Sequence, residues 1–234
     1  MAELIVALDF DKAGDAYDLA EKIQGVAPWV KVGLELFIAE GPQIVQKFKA
    51  MGFNVFLDLK LYDIPNTVKG AAQSACQAGA DLLTVHLSGG RRMCEAALEV
   101  SRTHGEAMKI FGVSVLTSFA EGELTGYDGT LSDLVGLLAK GASEWGMHGI
   151  VCSGHEVEKI KKIAPQIKCL TPGIRLDENG AGDDQRRIMT PRKAVAAGSD
   201  YLVVGRPITR AKDPRSVAVV INTEMNEALE ELNK

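Results

Sequence analysis

Long hydrophobic runs are missing from this chain: no uninterrupted apolar stretch reaches the length needed to span a bilayer. Cysteine is scarce. Cys76, Cys94, Cys152 and Cys169 are widely spaced with no Cys-x-x-Cys. That excludes a disulfide framework or a cysteine-based zinc site and reads as small core residues in a reducing compartment. No long basic block occurs, and 31 acidic residues outnumber 26 basic ones for a net charge of -5, which argues against nucleic acid as the main partner. The amino terminus, Met1 to Asp9, has no positive region and meets a carboxylate early, so it does not read as a signal peptide. The expected location is cytoplasmic. Among the four histidines there is no metal-ligand spacing and no His-Glu-x-x-His, and Gly-x-Ser-x-Gly and the P-loop are absent. Nothing in these patterns requires a metal or a nucleotide cofactor. Trp29 and Trp145 flank helix ends in this reading and are expected in the core.

What is present is a repeated alternation. The composition, 46% hydrophobic and 24% charged, is that of an ordered globular chain rather than a disordered one. Short β-rich runs at Leu4–Phe10, Val30–Leu36, Asn54–Leu61, Leu82–Leu87, Lys109–Leu116, Gly149–Cys152, Ile167–Thr171 and Tyr201–Val204 are each followed by a helical stretch. Those stretches fall at Gly14–Val26, Gln43–Met51, Asn66–Ala78, Arg92–Arg102, Leu131–Glu144, Glu156–Ile163, Arg192–Ala197 and Arg215–Leu232. Eight such units in 234 residues predict an α/β fold, a (β/α)8 TIM barrel, with residues 1–234 forming a single domain. No sequence-level internal repeat stands out. Reacting groups of such barrels gather at the C-terminal ends of the strands, so polar residues are expected there and should be scarce at the other end. Asp9, Asp58, Lys60, His86, Thr117, Ser118, Ser153, Arg175, Gly205 and Arg206 fall late in a strand or just after one, and Lys31 lies within the second. His86 reads as a satisfied core histidine.

The third strand is the most informative. Asp58 and Lys60 end the apolar run Asn54-Val55-Phe56-Leu57, and strand alternation puts them on one face. Two opposite charges on a strand expected to be buried on both faces carry a desolvation cost that folding alone does not explain. Asp63 follows, and Pro65-Asn66-Thr67 opens a helix, so two carboxylates and an amine are expected to converge at one strand end. The competing reading is a structural ion pair in the barrel interior.

Gly205-Arg206, directly after Leu202-Val203-Val204, suggests a phosphate site: glycine lets backbone N–H groups approach an anion, a helix start adds its dipole, and arginine offers a bidentate fork. A turn with a solvated arginine is the plainer alternative. The long polar loop from Arg175 to Thr190 reads as a lid over that anion, with Arg175 and Gln185 closing on it, or else as a surface loop.

Together these residues closely resemble the orotidine 5′-phosphate decarboxylase family, in its bacterial branch, over essentially the whole chain. The most specific piece is Asp58-x-Lys60-x-x-Asp63-Ile64-Pro65-Asn66-Thr67. Ala7-Leu8-Asp9, Lys31-Val32-Gly33, Val115-Leu116-Thr117-Ser118, Thr171-Pro172-Gly173-Ile174-Arg175 and Val204-Gly205-Arg206-Pro207-Ile208 support it. The resemblance implies cofactor-free decarboxylation of orotidine 5′-phosphate (OMP) to UMP, the last step of de novo pyrimidine nucleotide synthesis. It implies Lys60 as the acid that protonates C6, Asp58 beside the substrate carboxylate, and Lys31 and Lys60 holding an alternating charge array. Asp9 and Lys31 would hold ribose hydroxyls, Thr117 the base, and Arg175, Gln185, Gly205 and Arg206 the phosphate region. It also implies a homodimer in which Asp63 and Thr67 reach the neighbouring site. Three alternatives remain at this point: a magnesium-dependent sugar-phosphate decarboxylase or aldolase on the same barrel, a Schiff-base lyase using Lys60, and a non-catalytic phosphate-ligand-binding barrel.

Overall fold

Eight strands pair in chain order and close on themselves: β1 (Glu3–Ala7), β2 (Trp29–Val32), β3 (Asn54–Leu61), β4 (Leu82–His86), β5 (Lys109–Val113), β6 (Gly149–Val151), β7 (Lys168–Thr171) and β8 (Tyr201–Val204), all parallel. The computed structural model describes residues 2–176 and 187–232. The helices are α1 (Ala13–Ile23), α2 (Leu34–Glu40), α3 (Gln43–Ala50), α4 (Pro65–Ala78), α5 (Gly90–Thr103), α6 (Leu131–Trp145), α7 (Val157–Ile163), α8 (Pro191–Ala196), α9 (Arg206–Thr209) and α10 (Pro214–Leu232). This is the (β/α)8 barrel that the alternating pattern predicts. None of the described helices is long and apolar enough to cross a membrane.

Strand alternation divides the apolar side chains between two cores. On β1, Leu4 and Val6 face the helices while Ile5 and Ala7 face the lumen. Trp29, Phe56, Leu82, Phe111 and Leu170 join the lumen set. Near the N-terminal strand ends the Tyr201 ring packs edge-on against Trp29 at 5.7 Å and Phe111 at 5.8 Å, which fills that end of the barrel. Outside, α5 buries Met93, Cys94, Ala97, Leu98 and Ser101, a stripe at the three- and four-residue spacing of one helix face. With the lower lumen filled by rings, space for a ligand is left at the opposite end.

Several expected boundaries shift. The second strand stops at Val32, and Leu34–Glu40 is a helix with only Leu36 fully buried, so an apolar run assigned to the strand belongs partly to α2. The first and fifth strands end at Ala7 and Val113, earlier than expected, which leaves Asp9 and Thr117 on the loops above the barrel. Trp29 heads β2 rather than flanking a helix, with Nε1 donating to Glu3 at 2.8 Å.

The N-terminal rim is also more polar than expected, and its polar groups are satisfied. Asp81 accepts Lys49 Nζ and the Val55 N–H, each at 2.7 Å. Half a barrel away, Asp200 accepts Lys161 and Lys168, each at 2.7 Å, and the Cys169 N–H at 2.9 Å. Each carboxylate follows a left-handed glycine, Gly79 (φ 93°) and Gly198 (φ 101°). The segments Ala78-Gly79-Ala80-Asp81 and Ala197-Gly198-Ser199-Asp200 therefore form a short local repeat that the sequence reading passed over. In both, the aspartate ties the start of one strand to its neighbour.

His148 sits on this rim with Nδ1 accepting the Ile110 N–H at 3.0 Å, so that nitrogen must stay unprotonated. Burial, with Lys109 adding to it, holds the imidazole below its ordinary value of 6.5. A histidine depressed in the fold takes up protons more readily when unfolded, so stability falls as pH drops below 6.5 and is regained above it. His86 carries the same sign, so only a difference between variants isolates His148. His148→Asn, whose Oδ1 can accept from Ile110 without titrating, is expected to flatten the decline in melting temperature between pH 6.5 and the acid limb. Each kcal/mol moves the midpoint of a chain this size by about 2–4 °C, so thermal melts across pH read the effect. Parallel curves for the two proteins would remove His148 from the acid response.

Candidate active site

At the C-terminal end of the barrel a cavity of about 550 Å³ opens, within the usual range for small-molecule sites. Its floor is the upper lumen layer, including Ala7, Phe56, Val113, Val151, Leu170 and Val203. Its walls carry Asp9, Lys31, Asp58, Lys60, Thr117, Arg175, Gly205 and Arg206, eight of the residues singled out from sequence.

One wall is a row of alternating charge built from β1, β2 and β3. Lys31 Nζ lies 2.7 Å from Asp9 Oδ1 and 3.8 Å from Asp58 Oδ2, and Lys60 Nζ lies 2.7 Å from that same Asp58 oxygen. Lys31 and Asp58 are each only 8% exposed, so their charges interact with little solvent screening. Burial alone would push the Asp58 carboxyl up; Lys31 and Lys60, with hydrogen bonds from Lys60 and Thr84, outweigh it and hold the group below its ordinary value. Burial likewise pulls Lys31 down, but Asp58 and Asp9 outweigh it and hold the ammonium above its ordinary value. Both partners thus favour the ionised state.

The way Lys60 reaches Asp58 differs from simple alternation. Leu57 pairs with Leu83, but the next β3 partner of β4 is Leu61 on Val85, so the chain bulges over Asp58 to Lys60. Lys60 takes φ 50°, a left-handed conformation that costs a non-glycine residue about 1–2 kcal/mol. Thr84 holds the bulge: its Oγ1 accepts the Lys60 N–H at 3.0 Å and donates to Asp58 Oδ1 at 2.9 Å. Strain kept at a charged pair inside a cavity points to a role in chemistry. Sequence reading missed Thr84. Its signal was a lone hydroxyl inside the run Leu82-Leu83-Thr84-Val85.

Gly33 lies against the same row. A Cβ there would lie 2.9 Å from Lys31 Nζ and 3.0 Å from Asp9 Oδ1, so any side chain would push into that ion pair. Gly205 is different: an added Cβ meets only Ala7 and Asp9 at 3.6 and 3.9 Å, which packing tolerates.

The part of the wall built after β7 and β8, which neighbours β1, is cationic. Arg175 follows β7 and Arg206 opens α9 directly after β8 and Gly205; Arg210, unanticipated from sequence, lines the same side. The backbone after β7 is fixed by an isolated bridge, with the Arg175 N–H donating to Met189 O at 3.0 Å and the Met189 N–H to Gly173 O at 3.1 Å. Gln185, and most of the long loop read as a lid, lie outside the described residues.

Asp63 and Thr67 do not join this cavity. Both are exposed, and Asp63 Oδ1 accepts the N–H of the adjacent Ile64 at 2.6 Å, so the expected convergence of two carboxylates and an amine is reduced within this chain to Asp58 and Lys60. His86 is half-buried against Tyr62, ring centres 5.9 Å apart, and is also off the cavity lining.

The profile of the orotidine 5′-phosphate decarboxylase / HUMPS family matches residues 2–221. Among curated proteins, an orotidine 5′-phosphate decarboxylase of Nitratidesulfovibrio vulgaris is 54% identical over 96% of this chain and 98% of its own length. One from Maridesulfovibrio salexigens is 53% identical over 97% of this chain and 100% of its own. The crystal structure of an orotidine 5′-phosphate decarboxylase from Lactobacillus acidophilus superposes with a TM-score of 0.84 at 33% identity, covering 97% of this chain and 100% of that one.

Proposed function

The chain belongs to the orotidine 5′-phosphate decarboxylase / HUMPS family, and from that premise we propose how the cavity removes carbon dioxide from orotidine 5′-phosphate without a cofactor. The protein is a carboxy-lyase that converts this nucleotide to UMP in pyrimidine biosynthesis. The observation that carries the mechanism is Lys60 Nζ, drawn by the bulge to 2.7 Å from Asp58 inside a row that also holds Lys31 and Asp9.

The bond from C6 to the carboxylate carbon breaks, its electron pair stays on C6, and carbon dioxide leaves. Lys60 stabilises the growing negative charge and then transfers a proton from Nζ to C6, giving UMP and a neutral amine that solvent reprotonates. Asp58 orients that ammonium and lies beside the departing carboxylate. Asp9 and Lys31 hold the ribose hydroxyls, and Thr117 contacts the base. Arg175, Gly205 and Arg206, with Gln185, bind the phosphate. Binding energy from that remote phosphate offsets the cost of ordering the reacting end. The arginines follow β7 and β8 while the lysine row is built from β1 to β3, so different strand ends grip the two ends of the nucleotide.

Residues 1–234 act in this reading as one catalytic domain, located in the cytoplasm, and as a homodimer. Leu34, Ile38, Tyr62 and Ile64 are exposed on α2 and around Asp63, Ile38 at 78%. Exposed large apolar side chains such as these suit a second copy, which brings Asp63 and Thr67 to its partner's cavity.

The deciding experiment follows loss of OMP absorbance with purified protein in excess chelator. Rapid UMP formation unaffected by chelator is expected, because the carboxylates that line the cavity among the described residues, Asp9 and Asp58, are already engaged by lysines. Turnover that requires added magnesium, on a sugar phosphate instead, would overturn the reading.

A further inference from the structure

The ends of β5, β6 and β7 meet at one buried ion pair that no sequence motif marks. Arg187 donates through Nη1 to Glu156 Oε1 and through Nη2 to the Leu116 carbonyl at 3.3 Å. Glu156 is only 5% exposed, and its second oxygen accepts the Ser153 N–H at 2.9 Å in a reciprocal cap just beyond β6. Two residues after Arg187, Met189 pairs with Gly173 and Arg175 beyond β7, and His155 Nε2 lies 3.2 Å from the Ile188 carbonyl. One guanidinium thus ties three loops together.

Two of those loops carry lining residues of the cavity, Thr117 and Arg175. Leu116 precedes Thr117 on the base side, and Met189 fixes the backbone of Arg175 on the phosphate side. A buried ion pair is poor evidence for stability, since well-packed apolar residues of similar volume often serve as well or better. Its position supplies the other explanation. We propose that Glu156 and Arg187 are positioning residues that hold Thr117 and Arg175 at the separation the nucleotide needs. The pair touches no substrate and acts through those two contacts. The inference rests on the decarboxylase reading above.

The test compares UMP affinity by calorimetry, steady-state constants and melting temperature in wild type, Arg187→Lys, Arg187→Met and Glu156→Gln/Arg187→Met. Arg187→Met alone strands the Glu156 charge and should melt well below wild type. The double variant removes both charges while the introduced amide oxygen can still accept the Ser153 N–H, so the melting temperature should recover. UMP affinity should not: it should stay about ten- to a hundredfold weaker, with KM raised by a similar factor and kcat changed far less, as misplaced contacts remote from the reacting atom require. Arg187→Lys keeps a cation opposite Glu156 but lacks the fork to Leu116, so it should keep its melting temperature and lose affinity. Wild-type affinity in Arg187→Lys, or in a double variant that melts like wild type, would make the pair purely structural. Failure of the wild type itself to bind UMP would instead overturn the decarboxylase reading.

Discussion

Lys60→Ala is expected to lower kcat by at least about 10⁴-fold while UMP affinity stays within about tenfold of wild type. Two losses combine. An ammonium about 4 Å from a developing carbanion is worth about 4 kcal/mol at an effective dielectric near 20, and each ~1.4 kcal/mol is a tenfold change in rate. Removing the proton donor adds a further factor of about 10² to 10⁴. The fold should survive, because Asp58 keeps the Thr84 hydroxyl at 2.9 Å and Lys31 at 3.8 Å. Binding should survive because the arginine wall is untouched. Single-turnover absorbance assays set beside UMP titration separate the two quantities. Substantial turnover by the variant would remove Lys60 from the chemistry, and a parallel collapse of UMP binding would make it a ground-state ligand instead.

Much of this arrangement was legible in the chain because barrel chemistry is laid out in sequence order. A polar residue after each apolar run identifies a strand end, and strand ends converge when eight parallel strands close. Asp9, Lys31, Asp58, Lys60, Thr117, Arg175, Gly205 and Arg206 come to one cavity for that reason. What stayed illegible depends on pairing between strands. Thr84 matters only because register sets it beside Asp58, and the bulge at Lys60 appears only once β3 is aligned with β4. Glu156 and Arg187 lie 31 positions apart and match no motif. α2 is absent from the sequence reading, because Leu34-Glu35-Leu36-Phe37-Ile38 suits a strand or a helix locally, and burial of Leu36 against the barrel decides.

Asp63 supplies the second large effect, and it is expected to act in trans. Asp63→Ala should lose most of its turnover although the residue is exposed and absent from its own chain's cavity. If each site combines Lys60 of one protomer with Asp63 of the other, mixing two inactive proteins restores activity. In a hybrid of Lys60→Ala and Asp63→Ala protomers one cavity carries both lesions and the other carries neither. Random reassortment of equal amounts makes half of the dimers hybrids, each with one intact site, so activity should recover to about a quarter of wild type. Subunit exchange must be allowed, by gentle dissociation and dilution back, because exposed apolar residues such as Ile38 and Ile64 would hold the parent dimers together. No recovery from a mixture shown by mass spectrometry to contain hybrids would place Asp63 within its own site or outside catalysis. Recovery near one quarter would establish the shared site, since no rearrangement within a single protomer can repair both lesions.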